Sequence, residues 1–540
     1  MLKNKSFFSR CKTTFAGQDK IRIYNMSDTQ KFIASMAEGY AFKGDTITIG
    51  AAMLDGQAVT EATIKAPLKT FNRHGLIAGA TGTGKTKTMQ GIAEALSAKG
   101  VPCLMMDVKG DLSGLAEPGS GNLKIDERTA KIGTTWKPTA FPVEMFTISE
   151  ENGVRMRATV TEFGPVLFSK ILELNDTQEG VVSLIFKYSD DKQMPLLDLK
   201  DFKKMLQYLT NEGKDEIKQE YGAISTSTAS TILRKIIEIE QQGAEKFFGE
   251  KSFEVEDLTR MDDRGYGYLS IVRLTDMQSK PKLFSTFMLS LMAEVYANFE
   301  EVGDADAPRL VIFIDEAHLI FNTASKALLD QLETMIKLIR SKGVGIFFIT
   351  QIPTDIPANI LSQLGMKVQH SLRAFTAVDR KAIKQTAENY PITEYYKTDE
   401  LLTSLGIGEA LFTALSEKGN PTPLAHVLLC APQSRMDILT PAELQTLVTN
   451  SKISKKYNEA IERDSAFEML IKKLETHVEE QKEKEEVKKE KEEPSTFEKV
   501  ASSSAAKQVM RTAASIITRS LLGAIGIKST TSRRKKTGWF

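Results

Sequence analysis

Leu76-Ile77-Ala78-Gly79-Ala80-Thr81-Gly82-Thr83-Gly84-Lys85-Thr86 decides how the rest of this chain is read. A short apolar run enters a glycine-rich loop, and a helix-compatible stretch follows. That order predicts a strand, a loop and a helix, the arrangement in which backbone N–H groups at a helix N-terminus wrap a phosphate. Gly79, Gly82 and Gly84 tolerate positive φ and allow a ligand close to the main chain. Lys85 can then reach β- and γ-phosphate oxygens, while the Thr86 hydroxyl is placed to ligate Mg²⁺. The loop Gly79, Ala80, Thr81, Gly82, Thr83, Gly84, Lys85 and Thr86 is therefore expected to bind ATP or GTP. The bland alternative is a Gly/Thr turn that happens to fit the spacing, and the flanking strand and helix weigh against it.

A second element, about 230 residues further on, completes the expectation. Leu310-Val311-Ile312-Phe313-Ile314 is a buried-strand pattern ending in Asp315-Glu316, the layout of a Walker B strand. Asp315 is expected to hold Mg²⁺ through water, and Glu316 to polarise the attacking water as general base. An isolated Asp-Glu after an apolar strand is more often a solvated strand end. Beside the phosphate loop it reads as the second half of one site.

Composition limits the remaining possibilities. The 540 residues suffice for a large core and at least one further unit. Lys and Arg number 71 against 70 Asp and Glu, so any binding to nucleic acid or membrane must be local rather than driven by total charge. Cys11, Cys103 and Cys430 are too scattered for a disulfide framework or a zinc ribbon and fit a reducing, cytoplasmic compartment. With five His, no metal cluster is suggested. No apolar run reaches the roughly 18 residues of a spanning helix, and the basic first 25 residues lack the apolar core of a secretory signal. Met26 is a candidate translation start, which makes 1–25 an expected disordered, silent extension.

Along the chain, residues 26–114 read as an N-terminal β segment, with a turn at Asp55-Gly56, and the first part of an α/β core whose second strand is Pro102–Met106, ending at Asp107. Residues 115–300 read as a mostly helical insertion that mixes short strands with amphipathic helices such as Val166–Leu174 and Thr231–Gln242. The core resumes over 301–432, with a helix around Lys326–Ser341, the strand Val344–Thr350, a strand near Lys367–Leu372, a helix around Val378–Glu388 and a hairpin from Glu409–Leu415 and Leu424–Leu429. Residues 433–499 read as a charged helical spacer. Residues 500–540 read as a basic amphipathic tail, with Val509, Ile517 and Leu521 on one face, then Arg533-Arg534-Lys535-Lys536 and Trp539-Phe540.

The strand Gly345–Thr350 ends in Gln351, at the carboxyl edge where sheet ligands sit. Gln351 can bridge the attacking water and the γ-phosphate as a sensor of nucleotide state, or it can simply cap a strand end.

Several stretches occur together in order: Gly79–Thr86, Asp107-Val108-Lys109-Gly110-Asp111, Ile314-Asp315-Glu316-Ala317-His318, and Ile339-Arg340-Ser341-Lys342-Gly343-Val344-Gly345 leading to Thr350-Gln351-Ile352-Pro353. This set resembles the HerA/FtsK superfamily of ring-forming DNA-pumping ATPases. More narrowly, it is similar to the bacterial HerA-like, YjgR-like group. The closer likeness runs from about residue 30 to residue 470 and includes Asn175-Asp176-Thr177-Gln178, Glu240–Glu245, Gln369-His370-Ser371-Leu372-Arg373 and Ser465-Ala466-Phe467-Glu468.

The resemblance implies a RecA-like P-loop NTPase core, ATP and Mg²⁺ as cofactors, and a homo-oligomer, a hexameric ring. It implies that Lys85 and Thr86 serve nucleotide and metal, that Asp315 and Glu316 serve metal and water, and that Gln351 is the strand-end sensor. Arg340 matches the arginine that reaches into a neighbouring subunit's site, and Arg373 a second arginine contacting nucleotide in cis; without the resemblance they read as a helix C-terminal cation and a surface residue. Asp107 and Asp111 match acidic positions after the second strand. The stretch between Met26 and the phosphate loop is too short for the β-barrel that precedes the motor in archaeal members.

Two functional readings follow. The first is a ring ATPase that translocates or remodels DNA, with any nuclease supplied by a partner. The second is an ATP-dependent protein-assembly or membrane-surface factor tethered through the tail. A basic amphipathic helix with terminal aromatics suits a lipid interface, a subunit contact or a nucleic-acid grip, and the bland alternative is a flexible tail that helps solubility.

Overall fold

The computed structural model describes residues 28–491, apart from 304, 324, 325, 460 and 462. Its centre is built by short runs of wholly buried residues: β3 (Gly75–Ala78), β4 (Cys103–Asp107), β8 (Leu310–Ile314) and β9 (Val344–Thr350) have no exposed position. Strands covered on both faces by helices need apolar side chains at every position, which is why these runs do not alternate.

The remaining strands are β1 (Thr46–Leu54), β2 (Gln57–Pro67), β5 (Val143–Thr147), β6 (Val154–Arg155), β7 (Leu269–Arg273), β10 (Met366–Gln369), β11 (Glu409–Thr413) and β12 (Ala425–Leu429). The described residues place all of them in one twelve-stranded sheet, ordered β2-β1-β12-β11-β10-β3-β9-β8-β4-β7-β5-β6. From β10 to β6 every pairing is parallel, whereas β10-β11, β11-β12, β12-β1 and β1-β2 are antiparallel. The order β10-β3-β9-β8-β4 is the RecA-like core. It seats the loop strand beside β9 and the acidic strand β8 just beyond.

The N-terminal β segment is the hairpin β1-β2. Its turn residues Asp55 and Gly56 both take positive φ, +50° and +76°, the pairing that matches the natural twist of two strands. The stretch 115–300 is more closely joined to the sheet than its helical reading suggested, because it contributes β5, β6 and β7. These strands extend the parallel sheet beyond β4. Helices Val160–Ile171, Asp176–Asp191, Leu199–Thr210 and Thr226–Glu240 lie in sequence between β6 and β7, and Phe168, Phe186 and Phe202 form part of their aromatic core.

Some of the resemblance stretches turn out to be helix caps. Asn175 and Gln178 form a reciprocal capping box, and Ser465 donates both its N–H and its hydroxyl to the Glu468 carboxylate. The chain divides after Leu470 into two units. Of the second, the described part is the continuation of the helix Ala466–Lys491. The extension 1–25 and the tail 500–540 lie outside the described residues.

Candidate nucleotide site

The phosphate loop leaves β3 between two parallel neighbours, and both of them hold it. Gly79 N–H donates to Thr350 O at 3.3 Å on the β9 side, and Ala80 N–H donates to Ser371 O at 2.9 Å on the β10 side. Gly79 has φ +155°, and a Cβ there would lie 2.5 Å from His370 Cβ. Gly84, at φ +112°, is the left-handed residue that turns the loop into the helix Lys85–Ser97. The helix stays in place because Met89, Ile92, Ala93 and Leu96 are buried in the core.

Lys85 is only 6% exposed. Its ammonium donates to Gly79 O at 2.6 Å and Ala80 O at 3.1 Å. Burial lowers its pKa first, the nearby Lys109 lowers it further, and Glu316 and Asp315 pull it back up. The loop lysine and the acidic strand tip therefore sit within each other's field. Thr86 is half-buried at the helix start.

Asp315 and Glu316 end β8, and both are buried. Asp315 Oδ1 accepts from the Glu316 N–H at 2.9 Å, while its Oδ2 is buried without a hydrogen bond. Burial raises the Asp315 pKa, Lys109 opposes that rise, and Glu316 adds to it. Glu316 takes φ +48°, a conformation that non-glycine residues adopt at a cost of about 1–2 kcal/mol. His318 Nδ1 lies 3.1 Å from Glu316 Oε2, but both atoms lack hydrogen-bonding geometry. The contact is one of proximity.

Two further residues belong to this edge, neither of which had a role assigned from its type or spacing. Lys109 Nζ lies 2.6 Å from Glu316 Oε1 and 3.5 Å from Asp315 Oδ2. Asp107, at the end of β4, makes that reach possible: Oδ1 accepts from the N–H groups of Gly110 (2.7 Å) and Asp111 (3.1 Å), and Oδ2 from Leu112 (3.2 Å). Burial, helped by Asp111, pushes Asp107 up to about 6. Asp107 organises a turn. The signal for Lys109 was present in Asp107–Asp111, but only the pairing of β4 with β8 brings it to the acidic tip.

His370 follows β10 beneath the loop, is fully buried, and meets Thr88 Oγ1 at 2.9 Å through Nε2. Burial, with Lys85 adding to it, drives its pKa down to about 4.

The remaining sequence candidates fall in two places. Gln351 is exposed one position past the Ala78–Thr350 pairing, level with Gly79. Arg373 Nη2 donates to Thr81 O at 3.2 Å, so it touches the phosphate loop of its own chain. Arg340 lies in the turn Arg340–Lys342 before β9, at the opposite edge of the parallel sheet. The seven residues of β9 separate it from this site, roughly 23 Å at 3.3 Å each.

Beside the loop exit, a slot of about 250 Å³ is lined by Gly84, Lys87, Ile125, Arg128, Ile407 and Met436. A larger cavity of about 550 Å³ lies along the helix Lys85–Ser97, bounded by Thr129, Trp136 and Cys430. Among the described residues no cluster of three or more His, Cys, Asp or Glu could hold a metal unaided. One hydroxyl plus one carboxylate, completed by phosphates and water, is the donor set Mg²⁺ prefers, and the orphaned Asp315 Oδ2 fits it.

A glycine-rich loop and lysine following the central strand β3, an acidic strand tip two strands away, and a polar strand end between them define a P-loop ATPase. The description "Helicase HerA-like C-terminal" matches residues 53–530. The chain belongs to this family. It is 22% identical over 357 residues, 64% of its length, to the DNA double-strand break repair helicase HerA of Sulfolobus acidocaldarius, and it spans 63% of that relative. The plasmid coupling protein TrwB in complex with ADP and Mg²⁺ is similar at 14% identity and a TM-score of 0.47, covering 73% of this chain and 97% of that one. VirB4 of Thermoanaerobacter pseudethanolicus is similar at 16% identity and a TM-score of 0.45, covering 75% and 99%. Among the described residues no helix is long and apolar enough to cross a membrane.

Proposed function

We propose that this chain is the subunit of a cytoplasmic homo-oligomeric ring, a hexamer, that hydrolyses ATP with Mg²⁺ and uses the energy to translocate DNA. The observation that carries the reading is the meeting of Lys85, Asp315 and Glu316 at one sheet edge, inside a chain of the HerA-like helicase family.

In this reading Gly79–Thr86 wrap the phosphates and Lys85 moves from the loop carbonyls to the β- and γ-oxygens. Thr86 and Asp315 would hold Mg²⁺, which when bound neutralises phosphate charge. Glu316 takes the proton of the attacking water, and Gln351 holds that water against the γ-phosphate. Arg373 steadies the loop and reaches nucleotide in cis. Arg340, on the far edge from the site of its own chain, would act in the site of a neighbouring copy, where a trans arginine ties hydrolysis to assembly. The apolar slot beside Lys87 takes the base.

The test is the ATPase rate of the full chain with and without single- and double-stranded DNA. Stimulation supports the translocase. Indifference to both overturns the DNA half and favours a protein-assembly or membrane-surface factor.

A further inference from the structure

The acidic tip of β8 already holds a cation, and it is a side chain of the same protein. Lys109 Nζ sits 2.6 Å from Glu316 Oε1 and 3.5 Å from Asp315 Oδ2, between the carboxylate assigned to the metal and the one assigned to the water. The lysine is held from behind. Asp107 gathers three backbone N–H groups of the 110–112 turn, and Gly110 takes φ +75° to allow it. The Lys109 side chain is 35% exposed, so it has water to retreat into.

An ammonium and a divalent cation compete for one carboxylate pair, because like charges a few ångströms apart repel strongly where water is scarce. We propose that Lys109 is an internal counter-ion: it neutralises and orients Asp315 and Glu316 until Mg²⁺ arrives with nucleotide and takes its place. This makes Lys109 a positioning residue, and it rests on the ATPase reading of the site. The exchange has two consequences of opposite sign. Lys109 competes with Mg²⁺ for the carboxylates, yet it also screens those carboxylates from incoming phosphates. Removing its charge should help the metal and hinder metal-free nucleotide.

The test compares wild type with Lys109→Met, which keeps the length of the side chain and removes its charge. A fluorescent non-hydrolysable ATP analogue is titrated in chelator, then held fixed while Mg²⁺ is titrated. The Mg²⁺ concentration at half-saturation should fall about tenfold or more, and affinity for the metal-free analogue should weaken by a comparable factor, as removal of one unit charge a few ångströms away implies. Lys109→Arg should keep both values within about threefold of wild type, since the charge remains. If Lys109→Met does not fold, Lys109→Gln carries the same two titrations. A role confined to the turn would weaken both affinities together and lower the melting temperature. Any result in which the two affinities fail to move in opposite directions overturns the proposal. Wild type that binds no analogue under either condition sinks the ATPase reading along with it, whereas normal wild-type binding with no split in the variant sinks Lys109 alone.

Discussion

Two buried histidines flank the same strand pair, one at each edge of the sheet, and burial drives both down to about 4. His74, at the amino edge, uses both ring nitrogens: Nε2 meets Ile336 O at 2.9 Å, and Nδ1 accepts from the Ile346 N–H at 3.0 Å. His370, at the carboxyl edge, meets Thr88 through Nε2 and leaves Nδ1 buried without a hydrogen bond. Asp111 Oδ1, Asp315 Oδ2 and Glu316 Oε2 are left in the same condition nearby. A buried polar group without a partner costs about 1–3 kcal/mol. The amino edge has one such atom, Asn72 Oδ1, beside a histidine with both nitrogens satisfied, whereas four gather around the phosphate loop at the carboxyl edge.

The two edges should differ most at Lys85. Lys85→Ala should abolish nucleotide binding while the melting temperature holds or rises, because a desolvated charge disappears with the side chain. A clear fall in melting temperature would make the carboxyl edge structural too. Arg340→Ala comes next. If it acts in a neighbour's site, turnover should drop on the order of 10³-fold, and inactive subunits should poison mixed assemblies beyond their proportion. Strictly proportional loss in a mixing titration would leave the amino edge with no catalytic part.

Glu316→Gln should cost on the order of 10²-fold in turnover while ATP stays bound, measured by single-turnover kinetics beside equilibrium binding. Loss of binding as well would place Glu316 in the cradle.

The smallest effect lies at His74 and depends on pH. A histidine whose folded pKa sits below its unfolded value of about 6.5 binds more protons when unfolded, so its neutral form stabilises at higher pH and that contribution is lost as pH falls from about 6.5 towards about 4. His74→Asn should be less stable than wild type at pH 7.5. The gap should then close by about 1.2 kcal/mol between pH 6 and pH 5. Urea midpoints across that range check it, and a gap that widens on acidification would reverse the sign. Raised carboxylates such as Asp107 act oppositely in the same window, so only the difference between the two proteins is diagnostic.

Legibility differed by residue. Gly79–Thr86 could be read because the chemistry of a phosphate cradle is local: consecutive N–H groups, positive φ and one lysine. Asp315-Glu316 could be read because a wholly apolar strand announces its own end. Lys109 could not, since its partners are about 200 residues away and only the β4-β8 pairing selects them. Short strands could be expected between 115 and 300, but not that β5 and β7 extend the parallel sheet, because five-residue strands among many helices carry little signal of their partners. Asn175–Gln178 and Ser465–Glu468, which carried part of the family resemblance, are helix caps.

By itself the sequence determined that a phosphate-binding loop and an acidic strand exist and what each can bind, because backbone freedom and side-chain charge are properties of neighbouring residues. Tertiary structure alone decided the rest. It set β9 between the two elements, put Arg340 on the far edge, and aimed Lys109 at both carboxylates. Strand order is settled by how whole buried faces pack, and no stretch of ten residues contains that information.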